Sequence, residues 1–135
     1  MILLMLLLSG CSASPENQAK QIPVKSVQSL YRLKEKNNPF FLVISKEDCP
    51  FCNDFLPLVS ECVSELSADF FECRISGKED LPSFDALGTG ISEISAVPAL
   101  FWIENDGSVA EYQDIDSGNR QSLENWLNYM MENSR

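Results

Sequence analysis

The pair Cys49 and Cys52, separated by two residues, constrains this chain more than any other feature. The short apolar run 40–44 before the pair predicts a buried strand, and the apolar spacing over 53–66 after it predicts a helix. Two thiols three positions apart at a strand-to-helix junction can face each other across one helical turn. The first lies at the helix N-terminus, where free backbone N–H groups favour a thiolate. The pattern therefore predicts a dithiol that exchanges with disulfides.

Composition excludes several other chemistries. The length of 135 residues corresponds to one domain, and the absence of histidine excludes Ser-His, Cys-His and His-metal sites. Ten Lys and Arg against 20 Asp and Glu give a net charge of -10, so we expect no nucleic-acid partner. A zinc site at the cysteine pair would need two further ligands, which only Cys62 and Cys73 could supply. We expect a monomer with no metal and no cofactor beyond its own disulfide.

The N-terminal residues resemble the start of an exported lipoprotein. The apolar run 1–8 spans roughly 12 Å as a helix, far short of the ~30 Å hydrocarbon core of a membrane. It therefore predicts a secretory signal peptide covering 1–10. The sequence Leu8-Ser-Gly-Cys11 resembles the lipobox of bacterial lipoproteins, in which the cysteine is lipidated. The run departs from the usual pattern in that no Lys or Arg precedes it. The alternative is an ordinary cleaved signal with an incidental cysteine.

This interpretation sets the domain boundaries. Residues 11–21 comprise the lipidated Cys11 and a polar, flexible tether, and 22–135 form the folded domain. Export would place the protein in a compartment that permits disulfides.

The rest of the pattern predicts alternating helices and strands. These are helix 23–37, strand 40–45, helix 50–66, strand 70–75, short helix 81–87, strand 97–103, strand 108–113 and helix 119–131. Asn105-Asp-Gly107 predicts the hairpin turn between the last two strands. The order α-β-α-β-α-β-β-α predicts an α/β fold with a four-stranded mixed sheet and helices on both faces.

Three features together resemble the thioredoxin fold, over residues 23–133. The first is Cys49-Pro50-Phe51-Cys52 after a strand. The second is Pro57, five residues after the second cysteine, where thioredoxins have a proline that kinks the helix. The third is Val97-Pro98, where the family has a cis-proline that faces the dithiol.

The resemblance implies a role for each of these residues. Cys49 would be the attacking thiolate, and Cys52 would resolve the mixed disulfide. Phe51 would supply an apolar contact beside the thiol. The backbone of Val97, next to Pro98, would offer N–H and C=O groups to an extended substrate strand.

The chain departs from thioredoxins at two positions. Asp48, preceded by Glu47, replaces the family's tryptophan before the first cysteine, and Val43 replaces a buried aspartate in the first strand. The two carboxylates disfavour a thiolate at Cys49, and no histidine lies inside the motif to stabilise it. We therefore expect a moderately reducing or isomerising protein rather than a strong oxidant.

Cys62 and Cys73 leave two alternatives open. One is a pair of buried free thiols that pack as small apolar side chains. The other is a structural disulfide between the helix and the second strand, which an exported protein could form.

The function these features favour is that of an extracytoplasmic, lipid-anchored thiol-disulfide oxidoreductase of a bacterium. It would exchange disulfides with exported proteins through Cys49 and Cys52, and a membrane electron donor is a further expected partner. The alternative is a non-catalytic thioredoxin-like module that binds a partner, for example an accessory factor in bacteriocin export. A copper chaperone is disfavoured, because the chain has no histidine and no C-x-x-x-C ligand set.

Overall fold

The computed structural model describes residues 19–22, 39–77 and 96–134. Its elements are the strands β1 (Lys20–Ile22), β2 (Phe40–Lys46), β3 (Asp69–Ile75), β4 (Ala99–Ile103) and β5 (Val109–Glu111), the helices α1 (Pro50–Ser64) and α2 (Arg120–Glu132), and a 3-10 turn at Ile115–Ser117. The predicted signal peptide, the lipidated cysteine and the predicted helices 23–37 and 81–87 lie outside the described residues.

The strands form one mixed sheet in the order β1-β3-β2-β4-β5. β1 and β2 both pair in parallel with β3, whereas β2–β4 and β4–β5 are antiparallel. β2 lies at the centre and is buried from Phe40 to Ser45, which explains its run of apolar residues.

The predicted count of four strands was wrong, because β1 adds a fifth. Lys20 and Gln21, assigned above to the tether, pair with Phe71 and Glu72 of β3. Of the three residues of β1 only Ile22 is buried, so the strand has no apolar alternation that the sequence could reveal. The Lys20 ammonium lies 5.5 Å from the centre of the Phe71 ring, an added contact that the polar composition did not suggest.

The sheet separates two apolar clusters. The helix side, packed against α1 and α2, includes Phe41 and Val43 of β2, and the opposite side includes Leu42 and Ile44. Successive side chains of a strand point to opposite faces, so this alternation also assigns neighbouring polar residues to a face. By this rule Ser45 lies on the helix side.

The two helices bury one stripe each. The buried residues of α1 are Cys52, Phe55, Val59, Cys62 and Val63, and those of α2 are Leu123 and Leu127. Asn119 caps α2 by accepting a hydrogen bond from the Ser122 N–H at 3.2 Å, so the helix begins one residue later than predicted. Arg120 reaches Glu61 on α1 at 3.1 Å, which links the exposed sides of the helices.

The predicted hairpin is present between β4 and β5. Glu104 N–H donates to the Ser108 carbonyl at 3.0 Å, and Gly107 has a φ of 91° that favours glycine. Within the described ranges, no helix has the length and apolar character needed to cross a membrane.

Candidate redox site

A tight turn between β2 and α1 places Cys49 at the start of α1. Glu47 N–H donates to the Ile75 carbonyl at 3.1 Å, which extends the pairing of β2 with β3 by one residue. Asp48 then has a φ of 55°, in the left-handed region, and reverses the chain. Cys49 is the N-cap of α1 with extended backbone, and Pro50 occupies the first helical turn, where its missing N–H costs nothing.

Cys49 and Cys52 form a disulfide across this first turn, with their Cα atoms 5.2 Å apart. The Cys49 sulfur accepts a hydrogen bond from the Cys52 N–H at 3.1 Å, as a capping side chain does. Cys49 is half-buried, whereas Cys52 is only 2% exposed. An incoming sulfur can therefore reach Cys49, while Cys52 is shielded by the fold.

The segment before β4 reaches the same end of the sheet. Ala99 pairs with Ile44 near the C-terminal end of β2, so Val97 and Pro98 lie level with the last residues of that strand. The Val97–Pro98 peptide bond is cis, as the resemblance implies. Val97 is half-buried and Pro98 is buried.

An aromatic side chain flanks the disulfide on the helix. Phe51 is 40% exposed and stacks on Phe55, with ring centres 6.4 Å apart and planes 21° from parallel. Phe55 is buried, so the exposed ring stacks on a fixed neighbour. The apolar contact predicted for Phe51 beside the thiol stays a prediction.

Pro57 lies inside α1 and is exposed. Because proline has no N–H, one backbone hydrogen bond is missing on the solvent side of the helix. The kink predicted at this residue stays a prediction. No cluster of residues suited to a metal ion occurs in the part of the chain that the structure describes.

A buried carboxylate that the sequence did not predict lies on the helix side of the sheet. Val43 is fully buried and carries no charge, but its partner on β3 is Glu72, which is 3% exposed. The sequence did hold one signal for this carboxylate. Phe70 and Glu72 are two positions apart in strand 69–75 and therefore point to the same face, which is the apolar helix side.

Two donors hold Glu72. Its Oε1 accepts a hydrogen bond from Ser45 Oγ at 2.7 Å and one from Arg74 Nε at 3.0 Å. Arg74 is 44% exposed, so the buried carboxylate is paired with a cation at the protein surface.

Cys62 and Cys73 are free and buried, so the structural disulfide is the alternative that was wrong. Cys62 belongs to the helix-side cluster and Cys73 to the opposite one, so the sheet separates the two thiols. Burial raises the pKa of the Cys62 thiol, an effect that Arg120 opposes. Burial, and secondly the charge of Glu72, raise the pKa of Cys73 to about 11.

Several solved structures are similar to this chain in fold. A solved structure described as a candidate oxidoreductase with a thioredoxin fold is 23% identical, has a TM-score of 0.56, and the match covers 76% of this chain and 89% of that one. Thioredoxin f of spinach chloroplasts, in its long form, is 14% identical with a TM-score of 0.59 and 86% of each chain covered. The chain has the thioredoxin fold.

A chain from the complex of ferredoxin:thioredoxin reductase with thioredoxin f2 has the same thioredoxin fold, at 13% identity and a TM-score of 0.61, over 85% of this chain and 96% of that one. No protein-family model and no curated protein matches the sequence. The likeness to these solved structures therefore lies in the fold.

Proposed function

We propose that this protein is an extracytoplasmic thiol-disulfide oxidoreductase that exchanges disulfides with exported proteins. The observation that carries the proposal is the asymmetry of the Cys49–Cys52 disulfide, which presents one half-buried and one shielded sulfur at a helix N-terminus. Exchange by two successive displacements requires this asymmetry, because an external thiolate must attack one defined sulfur.

In the oxidising direction, a substrate thiolate attacks the Cys49 sulfur. A substrate–Cys49 bond forms, the Cys49–Cys52 bond breaks, and Cys52 leaves as a thiolate that takes a proton from solvent. A second substrate thiolate then attacks the substrate sulfur of this mixed disulfide and expels Cys49. The substrate has lost two electrons and the protein has gained them.

In the reducing direction the same steps run in reverse. The Cys49 thiolate attacks a substrate disulfide and expels one substrate thiolate, and Cys52 then attacks Cys49 to release the other. The N–H that Cys52 directs at the Cys49 sulfur would stabilise the thiolate in this state. Glu47 and Asp48, both exposed beside the cysteine, would oppose it.

The proposed location is the outer face of a bacterial membrane, with a lipid on Cys11. It is supported by the apolar run 1–8 and the lipobox-like sequence that ends at Cys11. A membrane electron donor that re-reduces the protein is part of the proposal. Metabolic labelling with a fatty acid tests the anchor: we expect a labelled wild-type protein and an unlabelled Cys11→Ala variant, and labelling of both would contradict the anchor at this residue.

Insulin reduction by dithiothreitol tests the activity. We expect the wild-type protein to shorten the lag before insulin precipitates, and Cys49→Ser to remove the effect. Cys62→Ala is the matched control, because this thiol is buried in the helix-side cluster away from the first turn of α1. If the wild-type protein gave no acceleration, the non-catalytic partner-binding module would be the better interpretation.

A further inference from the structure

Glu72 and Ser45 are the buried polar side chains among the described residues, and the exchange steps above use neither of them. They lie on neighbouring strands and are hydrogen-bonded to each other at 2.7 Å. A buried carboxylate is costly unless it is paired, so its presence in this otherwise apolar layer needs an explanation.

The topology places this carboxylate on the side of the sheet that α1 covers. Ser45 is the penultimate residue of β2, and only three residues separate that strand from the helix. On α1, Cys52 precedes Phe55 and Val59 along one buried stripe, and those two residues contact the helix side of the sheet. Cys52 is therefore on the face that points toward Ser45 and Glu72, at a separation on the order of 10 Å between helix and sheet layers.

The contacts of the Glu72 carboxylate indicate how it can act on its surroundings. One oxygen of Glu72 already accepts hydrogen bonds from Ser45 and from the Arg74 guanidinium, with which it forms an ion pair. The negative charge of this carboxylate acts across a layer with little water to screen it. The same carboxylate acts on a neighbouring thiol: burial, and secondly the charge of Glu72, raise the pKa of Cys73.

We propose that Glu72 is a positioning residue that disfavours charge on Cys52 and so keeps the nucleophilic thiolate on Cys49. The inference rests on the proposed function, since it assigns the order in which the two thiols act. Arg74 weakens the effect, because its guanidinium partly neutralises the carboxylate. The other charged groups near this end of the described fold are exposed to solvent and more strongly screened: Lys46, Glu47, Asp48 and Asp54.

The test follows Cys52 directly, with the reduced full chain and the chromogenic disulfide DTNB. The Cys49 thiolate attacks the reagent and releases one thionitrobenzoate anion. Cys52 then loses its proton to solvent and attacks the Cys49 sulfur, which forms the Cys49–Cys52 bond and expels a second anion. Stopped-flow absorbance resolves the two releases, and the Cys49→Ser/Cys52→Ser variant supplies the blank for other thiols.

We expect Glu72→Gln to accelerate the second release about tenfold at neutral pH, the size of a unit charge at ~10 Å in an effective dielectric of ~20. Arg74→Gln, which leaves the carboxylate without its cation, should slow the second release by about threefold. Glu111→Gln on the exposed strand β5 is the matched control and should leave both releases unchanged.

A faster second release in Glu72→Gln together with a slower one in Arg74→Gln would indicate a charge effect, because a loosened fold would change both rates in the same direction. A slower second release in Glu72→Gln would show that the carboxylate accepts the Cys52 proton, and would overturn the proposal. Should Glu72→Gln fail to fold, Arg74→Gln decides alone, and an unchanged or faster second release there would also overturn it. Because DTNB needs no physiological substrate, a negative insulin assay would contradict the proposed function without changing this result.

Discussion

The buried thiol of Cys73 makes the stability of the protein depend on pH in the alkaline range. Its pKa is raised from 9.0 to about 11 in the folded state, first by burial and then by Glu72. A group whose folded pKa is raised contributes stability that is fully present below the unfolded value and lost as pH rises through the folded value. Below pH 9 the thiol is protonated in both states, so the loss should occur between pH 9 and 11.

The size of this loss follows from the shift. One pKa unit corresponds to about 1.36 kcal/mol, so a shift from 9.0 to about 11 limits the loss to about 2.7 kcal/mol. Partial screening by solvent brings the expected value to about 2 kcal/mol. This is a large share of the ~5–15 kcal/mol that stabilises a typical domain.

Urea unfolding from pH 8 to 11 measures the effect, in a Cys49→Ser/Cys52→Ser background that prevents disulfide exchange in the unfolded chain. Because the rest of the protein also responds to alkaline pH, the comparison is with the same protein carrying Cys73→Ala. We expect the variant to be less stable at pH 8, because a buried sulfur is lost, and to lose about 2 kcal/mol less between pH 9 and 11. Parallel curves for the two proteins would refute the reasoning.

Three further substitutions test the packing, the turn and the substrate contact. Leu127→Ala, at a residue only 1% exposed, should lower the free energy of unfolding by about 2–5 kcal/mol in urea titrations, and a smaller loss than with an exposed-site control would contradict the packing. In the same urea titrations, Asp48→Gly should raise the free energy of unfolding by roughly 0.5–1 kcal/mol and Asp48→Val should lower it, because the φ of 55° suits glycine and disfavours a β-branched residue. Equal effects of the two substitutions would contradict the turn geometry. Phe51→Ala should raise KM for a protein disulfide about threefold to tenfold and leave the reaction with DTNB unchanged, as steady-state kinetics with both substrates will show.

The sequence predicted the centre of the fold because its signals there are local. The apolar run of β2, the capping cysteine with Pro50, and the Asp-Gly step of the hairpin each act within a few residues. The predicted positions of β2, β3, β4 and α2 are accordingly confirmed to within two residues.

The rest depended on contacts between distant segments. β1 exists because Ile22 is buried beside Cys73, a pairing that three mostly polar residues cannot reveal. Cys62 and Cys73 looked suited to a disulfide because one lies on the inward face of the predicted helix and the other in the strand expected to pack against it. The sheet face that Cys73 occupies, however, depends on strand register.

The same limit applies to Glu72. Its pairing with Ser45, 27 positions away, becomes visible only when β2 and β3 are aligned. The sequence therefore predicted the paired cysteines and did not predict the buried carboxylate on the helix side of the sheet.

The direction of β1 has a consequence for how the protein would stand on a membrane. Lys20 enters the sheet level with Leu42, and four further residues of β2, roughly 13 Å, separate that level from the strand end that leads to Cys49. With the proposed lipid on Cys11, the eight residues 12–19, at most ~30 Å of extended chain, would join Cys11 to Lys20. The disulfide would then face away from the lipid surface, toward proteins in the surrounding aqueous space. An electron donor in the membrane would reach the disulfide only by extending its own thiols above the bilayer, or when the domain reorients on its flexible tether.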